Sequence, residues 1–254
     1  MDGNEQSNYR QQLAAELKSA PKGKRRTILD TAQEEQQYWQ SRSEKVKQTD
    51  EEKRSDDGME IFLKKKTLFH GSARTGIDEF IPAEETTVGT GIYFTSEAKD
   101  AIGYARTRAQ GEKDASPVIY EASVEDMKML DLRKTENAKK IMDGFKVVLK
   151  KWVEKLFPEK FPNQMQYEVA RDSAMSAIRT IEDGGYDAGN LRNVIKNPQG
   201  GIDFSDTFSR YVQSLGYDGL MTFEGGEGSL VTEHDTYLVF DPKKVKINKS
   251  HKIV

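Results

Sequence analysis

The feature that most constrains the fold of this chain is a long helical block with strand-like segments on both sides of it. Between about residues 135 and 215, apolar residues recur at helical spacing, i, i+3, i+4. The flanking segments are short runs rich in β-branched and aromatic residues, at 61–63, 67–70, 92–95, 117–124, 217–223, 236–240 and 245–247. Strands, then helices, then strands predict an α+β domain with a split, mostly antiparallel β-sheet and a helical insertion.

Three helices are predicted within the insertion. The first is ended by Pro158, and the third covers 205–215 and stops before Gly216, the residue type that commonly follows a helix end. The second runs from about 164 to 181, and its inward positions are Val169, Ala174, Ala177, Ile178 and Ile181. These apolar stripes predict core packing rather than a cofactor site.

Residues 1–58 differ from the rest of the chain because they are rich in charged residues and glutamine and carry few apolar residues. We expect helices at 11–19 and 28–47 and a linker in the charged run 50–58. The predicted organisation is therefore a helical N-terminal arm, 1–58, and a domain, 59–254. The arm is either a solvated helical extension or a segment that binds a partner or covers the active site.

Composition excludes several classes of function. The chain has no Cys and three His, which excludes disulfides and thiol nucleophiles and disfavours a transition-metal site, so no metal is expected. The formal net charge of −3 argues against a protein that coats nucleic acid, although a local basic patch stays open. No apolar signal region and no run of about 18 apolar residues is present, so we expect a cytoplasmic protein without a membrane partner; delivery into a host or target cell stays open.

The chemistry-bearing residues lie in two short segments and one helix. His70, Gly71 and Ser72 end one predicted strand, and the sequence GTGIYF at 89–94 begins the next, carrying Tyr93. Tyr104 follows in a helix predicted at 97–109, for which Ser96 is the expected cap. A pyridinium cation stacks well between electron-rich rings, and a primary amide is read by a backbone N–H and C=O. This set predicts a grip on NAD+ as a substrate.

In order and spacing these segments resemble the diphtheria-toxin and poly(ADP-ribose)-polymerase class of ADP-ribosyltransferases. The chain is similar in particular to the prokaryotic and phage branch found in polyvalent proteins, where Gly-Tyr-Asp-Gly and Val-Phe-Asp-Pro segments, here at 216–219 and 239–242, are familiar. The resemblance covers about residues 66–125 and 216–247. It does not extend to the arm or the helical block.

The resemblance implies a role for each matching residue. His70 would hydrogen-bond the ribose of the adenosine half of NAD+, and the backbone of Gly71 would read the nicotinamide amide. Tyr93 and Tyr104 would sandwich the nicotinamide ring, and residues 73–87 would form a flexible loop beside the dinucleotide. Ser72 and Phe94, which belong to the same two motifs, complete the expected NAD+-binding set.

The expected catalytic carboxylate is missing from its usual place. In the family a Glu at the start of the closing strand holds the ribose and faces its developing positive charge; here that position is Thr236. The candidates for this role are Thr236 itself and the neighbouring Asp235 and Glu233. Strand alternation puts Asp235 on the face opposite Thr236, so that only a bulge or another register would aim it at the ribose. Glu224 or Glu227 in the preceding turn could swing in instead.

A second departure is Ala101, where many relatives use a Ser to bind the nicotinamide carbonyl. Loss of the Glu disfavours polymer synthesis but is compatible with transfer of a single ADP-ribose. The resemblance therefore implies a mono-ADP-ribosyltransferase, acting on a protein or nucleic acid as a toxin, effector or phage-related protein. The alternatives are an NAD+ glycohydrolase or a catalytically silent module that binds NAD+ or ADP-ribose. An inhibitor or partner protein could contact the arm.

Overall fold

The computed structural model describes residues 37–83, 88–110, 115–156, 161–184, 191–196, 202–224 and 234–253. The strands are β1 (Glu51–Arg54), β2 (Glu60–Ser72), β3 (Ile92–Thr95), β4 (Val118–Asp131), β5 (Gly219–Glu224), β6 (His234–Val239) and β7 (Val245–Lys252). The helices are α1 (37–47), α2 (Ala98–Ala109), α3 (Thr135–Glu154), α4 (Gln164–Glu182), α5 (Leu191–Ile195) and α6 (Ser205–Ser214), with a 3₁₀ turn at Pro242–Lys244. None of the described helices is long and apolar enough to cross a membrane.

All seven strands belong to one sheet, in the order β1-β2-β3-β6-β5-β4-β7 with an additional β2–β4 pairing. The long strands β2 and β4 pair antiparallel from Glu60↔Leu130 to Ser72↔Val118. The short strands β3, β6 and β5 connect the end of β2 to the end of β4, where β5 runs parallel to β4. The predicted α+β fold with a mostly antiparallel sheet is confirmed, and β4–β5 is its parallel exception.

The two faces of β5 and β6 belong to different cores. Leu220 and Leu238 pack with α3 to α6, whereas Met221, Tyr237 and Val239 pack with residues of the other strands. Because side chains alternate along a strand, Glu224 and Thr236 lie on the face of Leu220 and Leu238, and Asp235 lies on the other face. This alternation decides which polar residues at the ends of β5 and β6 can meet.

The described end of the arm packs on the domain. A third core joins α1 to α2 and to the ends of the long strands through Trp39, Val46, Phe69, Ala98, Ala101, Ala105, Ile119 and Ile253. Arg42 forms an ion pair with the buried Glu121 of β4, and the Trp39 ring lies 5.0 Å from the ring of His251 in β7. The first described helix, α1, therefore lies beside the last strand, β7.

The charged run 50–58 is not an unstructured linker, because it contains β1. Glu51–Arg54 pairs antiparallel with β2, and the buried Lys66 ammonium lies 3.1 Å from Asp50 and 3.2 Å from Glu52. Opposite charges on the two segments neutralise each other, which periodicity alone could not show. The boundary at residue 58 stays a prediction, and the helix expected at 11–19 lies outside the described residues.

Other expectations need smaller corrections. Val169 was expected to face inward but is 41% exposed, whereas Ala174, Ala177, Ile178 and Ile181 are buried as predicted. Ser96 does not cap α2; the Ala98 N–H at the start of that helix donates instead to Ser43 Oγ of α1, at 3.2 Å. The five-residue helix α5 has no sequence signal of its own. Gly216 follows α6 with φ +88°, as predicted for a residue past a helix end.

Candidate active site

A cleft of about 430 Å³ opens at the end of β2, between β3, α2 and the loop that follows β2. Its size lies in the usual range for small-molecule sites. The residues that line it include His70, Gly71, Ser72, Tyr93, Phe94 and Tyr104. All six residues expected to bind NAD+ therefore lie around one cavity, although they come from three separate elements; their contacts with NAD+ stay a prediction.

The His70 ring is held by a hydrogen bond and by contacts with neighbouring aromatic rings. Its Nδ1 lies 2.8 Å from the Tyr93 carbonyl oxygen, and its ring contacts Phe80 and Phe94 edge-on, at 4.9 and 5.8 Å between centroids. Burial lowers the pKa of His70, and the charge of Arg108 lowers it further, against the effect of the Tyr93 carbonyl. A neutral ring that donates from Nδ1 to a carbonyl leaves Nε2 as an acceptor, which suits a hydroxyl donor in the cleft.

Tyr93 organises the segment before it. Its hydroxyl accepts from the N–H groups of Val88 and Gly89, at 2.9 and 3.1 Å, and donates to the Gly89 carbonyl at 3.1 Å. Thr90 N–H donates to Ser209 Oγ of α6 at 2.8 Å, and a Cβ at Gly89 would lie 2.6 Å from that same oxygen. The GTG sequence is therefore a close-packed turn against the helical block, and it fixes the ring of Tyr93 at the cleft.

Gly71 allows α2 to approach β2. A Cβ at Gly71 would lie 2.0 Å from the Ala101 carbonyl oxygen and 2.8 Å from the Ala105 backbone nitrogen. Ala101 and Ala105 are both fully buried. Small residues on both elements thus bring α2, and with it Tyr104, to the edge of the cleft. The motif residue Gly71 has this packing role in addition to the predicted contact with an amide.

Ser72 and Phe94 serve as supports of the cleft wall. Ser72 Oγ accepts from the Arg74 N–H at 3.1 Å, which turns the chain into the loop after β2. Phe94 is buried and packs edge-on against Phe80, at 5.3 Å between centroids. The start of the loop is also fixed, because the Tyr120 hydroxyl donates to the Arg74 carbonyl and accepts from the Ile77 N–H. Residues 84–87 of the loop predicted to be flexible lie outside the described residues.

Tyr104 reaches across the cleft to β5. Its hydroxyl donates to Glu224 Oε2 at 2.8 Å, and Thr236 Oγ1 lies 3.4 Å from the same oxygen. Burial raises the pKa of Tyr104 and the neighbouring Glu224 charge raises it further, so the phenol stays protonated and acts as a donor. The structure therefore brings Thr236, one of the three catalytic candidates, to the cleft together with Glu224.

Two further polar residues lie behind this contact. His234 Nε2 is 3.4 Å from Thr236 Oγ1, and the His234 ring packs edge-on against the Tyr104 ring at 5.7 Å. Asp100 of α2 is 4% exposed, and burial raises its pKa while the nearby His234 charge opposes that shift. The predictions placed neither residue in the site; the helical spacing of Asp100 and Tyr104, i and i+4, is the sequence signal that puts them on one face of α2.

Asp235 does not reach the cleft. It is on the opposite face of β6, where Oδ2 accepts from Arg133 at 2.7 Å, and Arg133 also binds the buried Asp131. No bulge interrupts the register of β5 and β6, Phe223↔Asp235 and Glu224↔His234, so alternation keeps Asp235 on that face. Glu233 lies outside the described residues, as does Glu227.

Arg74 and Arg108, which belong to none of the predicted motifs, also line the cleft and give it positive charge. Within the part of the chain that the structure describes, no group of three or more His, Asp or Glu could hold a metal ion. The cleft thus combines aromatic rings, backbone polar groups, two guanidinium groups and two carboxylates, Glu79 and Glu224. That composition suits a ligand with a flat aromatic ring and anionic phosphates.

Comparison with known proteins identifies a family and a structural neighbour. The model of a family described as ADP-ribosyltransferase in polyvalent proteins matches residues 64–252. Among solved structures, the chain is similar to the M. tuberculosis MbcT–MbcA toxin–antitoxin complex, with 12% identity over 75% of this chain and 85% of that chain and a TM-score of 0.36. No curated protein matches the chain.

Proposed function

The chain belongs to the family of ADP-ribosyltransferases in polyvalent proteins, and we propose that it cleaves NAD+ and transfers a single ADP-ribosyl group to a macromolecular acceptor. The observation that carries this proposal is the convergence of His70, Tyr93 and Tyr104 on one cleft. His70 is bonded to the Tyr93 carbonyl, the Tyr93 hydroxyl to the turn before β3, and the Tyr104 hydroxyl to Glu224 of β5.

The cleft offers the groups that a nicotinamide riboside requires. Two tyrosine rings provide faces for the pyridinium cation, and stacking of a cation on such faces is favourable when water is excluded. His70 Nε2 accepts from a ribose hydroxyl, because Nδ1 is already bound to the Tyr93 carbonyl. Arg74 and Arg108 are placed to bind the two phosphates of the dinucleotide, for which guanidinium groups are well suited.

The reaction breaks the bond between the anomeric carbon of the ribose and the nicotinamide nitrogen. Nicotinamide leaves as a neutral base with the bonding electrons, so no general acid is needed. The acceptor's nucleophile forms a new bond to the same carbon and loses its proton to solvent or to a nearby base. The barrier lies in the positive charge that develops on the ribose, as in glycoside cleavage, and is lowered by negative charge placed beside it.

Transfer of one unit is favoured over polymer synthesis because Thr236 stands where elongating relatives place a Glu. Thr236 is 2% exposed and its hydroxyl is directed to Glu224 and His234, so it supplies no charge of its own. A protein acceptor is favoured over nucleic acid, since the net charge of −3 would oppose approach to a polyanion. A toxin, effector or phage-related role in a producing or target cell is consistent with such an activity.

A partner or inhibitor protein that binds the arm would act through α1. This helix contacts the start of α2 at Ser43 and the buried Glu121 at Arg42. Because α2 carries Tyr104, displacement of α1 would be felt at the cleft.

Incubation of the protein with NAD+ labelled in the adenylate, together with a total protein extract, tests the proposal. Label bound to protein, with nicotinamide released in equal amount, is the expected result, and His70→Ala should abolish it. Label on added RNA or DNA alone would move the acceptor class. Free ADP-ribose without transfer would mean a glycohydrolase, and bound but intact NAD+ would mean a silent binding module.

A further inference from the structure

We propose that Glu224, the last residue of β5, supplies the carboxylate of this reaction in place of the Glu that relatives carry at the start of β6. Its free oxygen would accept a hydrogen bond from a hydroxyl of the nicotinamide ribose and lie beside the positive charge that forms there. This inference rests on the proposed function. It assigns the role to a residue other than the three sequence candidates Thr236, Asp235 and Glu233.

Position is the first argument. Glu224 lines the cleft together with His70, Tyr104 and Thr236. It pairs with His234 across β5 and β6, and its side chain lies on the same face as Thr236 because Thr222 pairs with Thr236. The carboxylate of Glu224 on β5 therefore lies on the same face of the sheet as Thr236, the position on the neighbouring strand β6 where relatives carry a Glu.

The hydrogen bonds of Glu224 are the second argument, because they treat its two oxygens differently. Oε2 is held by the Tyr104 hydroxyl at 2.8 Å and contacts Thr236 Oγ1 at 3.4 Å. Oε1 is buried and has no hydrogen-bond partner among the described residues. A buried acceptor without a donor is unfavourable. A ribose hydroxyl would provide the donor that Oε1 lacks, while Tyr104 keeps the carboxylate in place.

Charge is the third argument. Among the described residues no Lys, Arg or His forms an ion pair with Glu224, and its hydrogen-bond donors are neutral hydroxyls. Its negative charge is therefore not already neutralised by a cation and acts on whatever charge develops in the cleft. In a site of low dielectric that interaction is stronger than in water.

The other carboxylates around the cleft that the structure describes do not fit the role. Asp235 is bound to Arg133 on the opposite face. Asp100 is nearly fully buried behind Tyr104 and does not line the cleft. Glu79 lines the cleft but comes from the loop after β2 and not from the strands that carry Thr236.

The chemical step is the same bond exchange described above. The carbon–nitrogen bond breaks with its electrons on nicotinamide, the acceptor's nucleophile bonds to the anomeric carbon, and the acceptor's proton leaves. Glu224 forms no covalent bond in this step. Its contribution is electrostatic, through the hydroxyl that it holds, and should therefore affect the rate more than the binding of NAD+.

The experiment compares Glu224→Gln and Glu224→Asp with the wild type in nicotinamide release and in NAD+ binding by calorimetry. The matched control is Glu60→Gln, which removes another Glu that accepts from a tyrosine hydroxyl, Tyr217 at 3.2 Å, outside the cleft. We expect kcat for Glu224→Gln to fall about 10²- to 10³-fold, the range for loss of one electrostatic group aimed at a transition state. NAD+ affinity should be nearly unchanged, Glu224→Asp should retain part of the rate, and Glu60→Gln should keep all of it.

The two possible failures are distinguishable. If the wild type binds NAD+ but neither releases nicotinamide nor transfers label, the proposed function fails, and the assignment of Glu224 fails with it. If the wild type is active and Glu224→Gln keeps its kcat, the proposed function stands and Glu224 is not the carboxylate. A thermal unfolding curve for each variant separates loss of rate from loss of fold, and Glu224→Asp preserves the charge if the amide variant does not fold.

Discussion

Two clusters of carboxylates lie on opposite faces of the β5–β6 end of the sheet, and they are built in opposite ways. The ion-pair cluster comprises Asp131, Asp235, Arg133 and Arg54, in which each carboxylate contacts a guanidinium group. The cleft cluster comprises Glu224, Asp100, Tyr104, Thr236 and His234, in which the donors to Glu224 are neutral hydroxyls. Asp131, Asp100 and Thr236 are all nearly fully buried, so the difference between the clusters reflects the partners provided more than the exposure to solvent.

The titration of the two clusters follows from their partners. Burial alone would raise the pKa of Asp131, but the hydrogen bonds and charge of Arg133 outweigh burial and hold that pKa below its usual value. Burial raises the pKa of Asp100, and the charges of His234 and Lys99 oppose that shift without outweighing it. A buried carboxylate paired with arginine is costly to break, whereas a buried carboxylate with only neutral donors can still accept a hydrogen bond from a ligand. The partners of the carboxylates therefore distinguish an ion-pair cluster from a cluster that is open to a ligand, although both lie at the same end of β5 and β6.

Asp131→Asn should produce the largest effect because it breaks the ion-pair cluster at its centre. Asp131 is 1% exposed and receives two side-chain hydrogen bonds from Arg133, at 2.8 and 2.7 Å. Removing one partner of a buried pair costs about 3–5 kcal/mol of unfolding free energy. Urea unfolding measures this loss, and nicotinamide release per folded molecule should not change. A large loss of kcat with full stability would show that the two clusters are not separate.

The same pair predicts a pH dependence. Because the pKa of Asp131 is lower in the folded state than its usual 3.8, its contribution to stability is fully present above that value. The contribution is lost as pH falls through the folded-state pKa. The difference in unfolding free energy between wild type and Asp131→Asn should therefore be largest near neutral pH and shrink in acid. A difference that grows on acidification would contradict the assignment of this ion pair.

Gly71→Ala should disturb the cleft cluster by moving α2. The added Cβ would lie 2.0 Å from the Ala101 carbonyl oxygen, and backbone atoms cannot give way without separating α2 from β2. Overpacking of this kind costs about 1–3 kcal/mol, and NAD+ binding should weaken as Tyr104 moves. The matched control is Gly103→Ala in the same helix, where nothing lies within 4 Å of the new atom. Equal behaviour of the two variants would mean that this approach of α2 is unimportant.

Tyr104→Phe tests the cleft cluster more finely, because it keeps the ring and removes the hydroxyl that holds Glu224. Loss of one hydrogen bond to a charged group corresponds to about 1.5–3 kcal/mol, and we expect kcat to fall about 10-fold or more while KM for NAD+ changes little. Steady-state kinetics across NAD+ concentrations gives both constants. An increase in KM with unchanged kcat would assign the hydroxyl to ground-state binding instead.

Ser43→Ala should have the smallest effect. It removes the acceptor that α1 offers to the first N–H of α2, at 3.2 Å, and loss of a cap costs about 1 kcal/mol. Thermal unfolding should detect that loss. The neighbouring exposed Ser41→Ala is the control, and a similar loss in both would mean that the contact with α2 does not matter.

The sequence was sufficient to predict the parts of the site that are local. His70, Gly71 and Tyr93 sit at the ends of short strands whose composition is evident, and Tyr104 lies at helical spacing from Ala101. The carboxylate could not be settled in this way, because its place depends on the pairing of β5 with β6 across a turn. The register Glu224↔His234 is a long-range property, and it places Glu224 on the face of Thr236. Alternation within β6 keeps Asp235 off that face.

Other failures have the same origin. β1 consists of charged residues, so its sequence does not resemble a strand. Its pairing with β2, and the ion pair of the adjacent Asp50 with Lys66, become evident only in the folded sheet. The cap of α2 comes from Ser43, which is 55 residues away, whereas the sequence offers the adjacent Ser96. Val169 fits the helical period but faces solvent, because periodicity identifies the apolar side of a helix without showing how far along the helix that side is covered. In each case local pattern and tertiary partner disagree, and the partner decides.

The contact between Trp39 in α1 and His251 in β7 has a consequence for how this domain can be joined to others. The first described helix and the last described strand therefore meet at one point of the domain. Such a domain can be inserted into a loop of another protein as a single unit, because its entry and exit require only a narrow gap in the host. A short linker between residues 253 and 37 would likewise close it into a circular permutant with the same cleft.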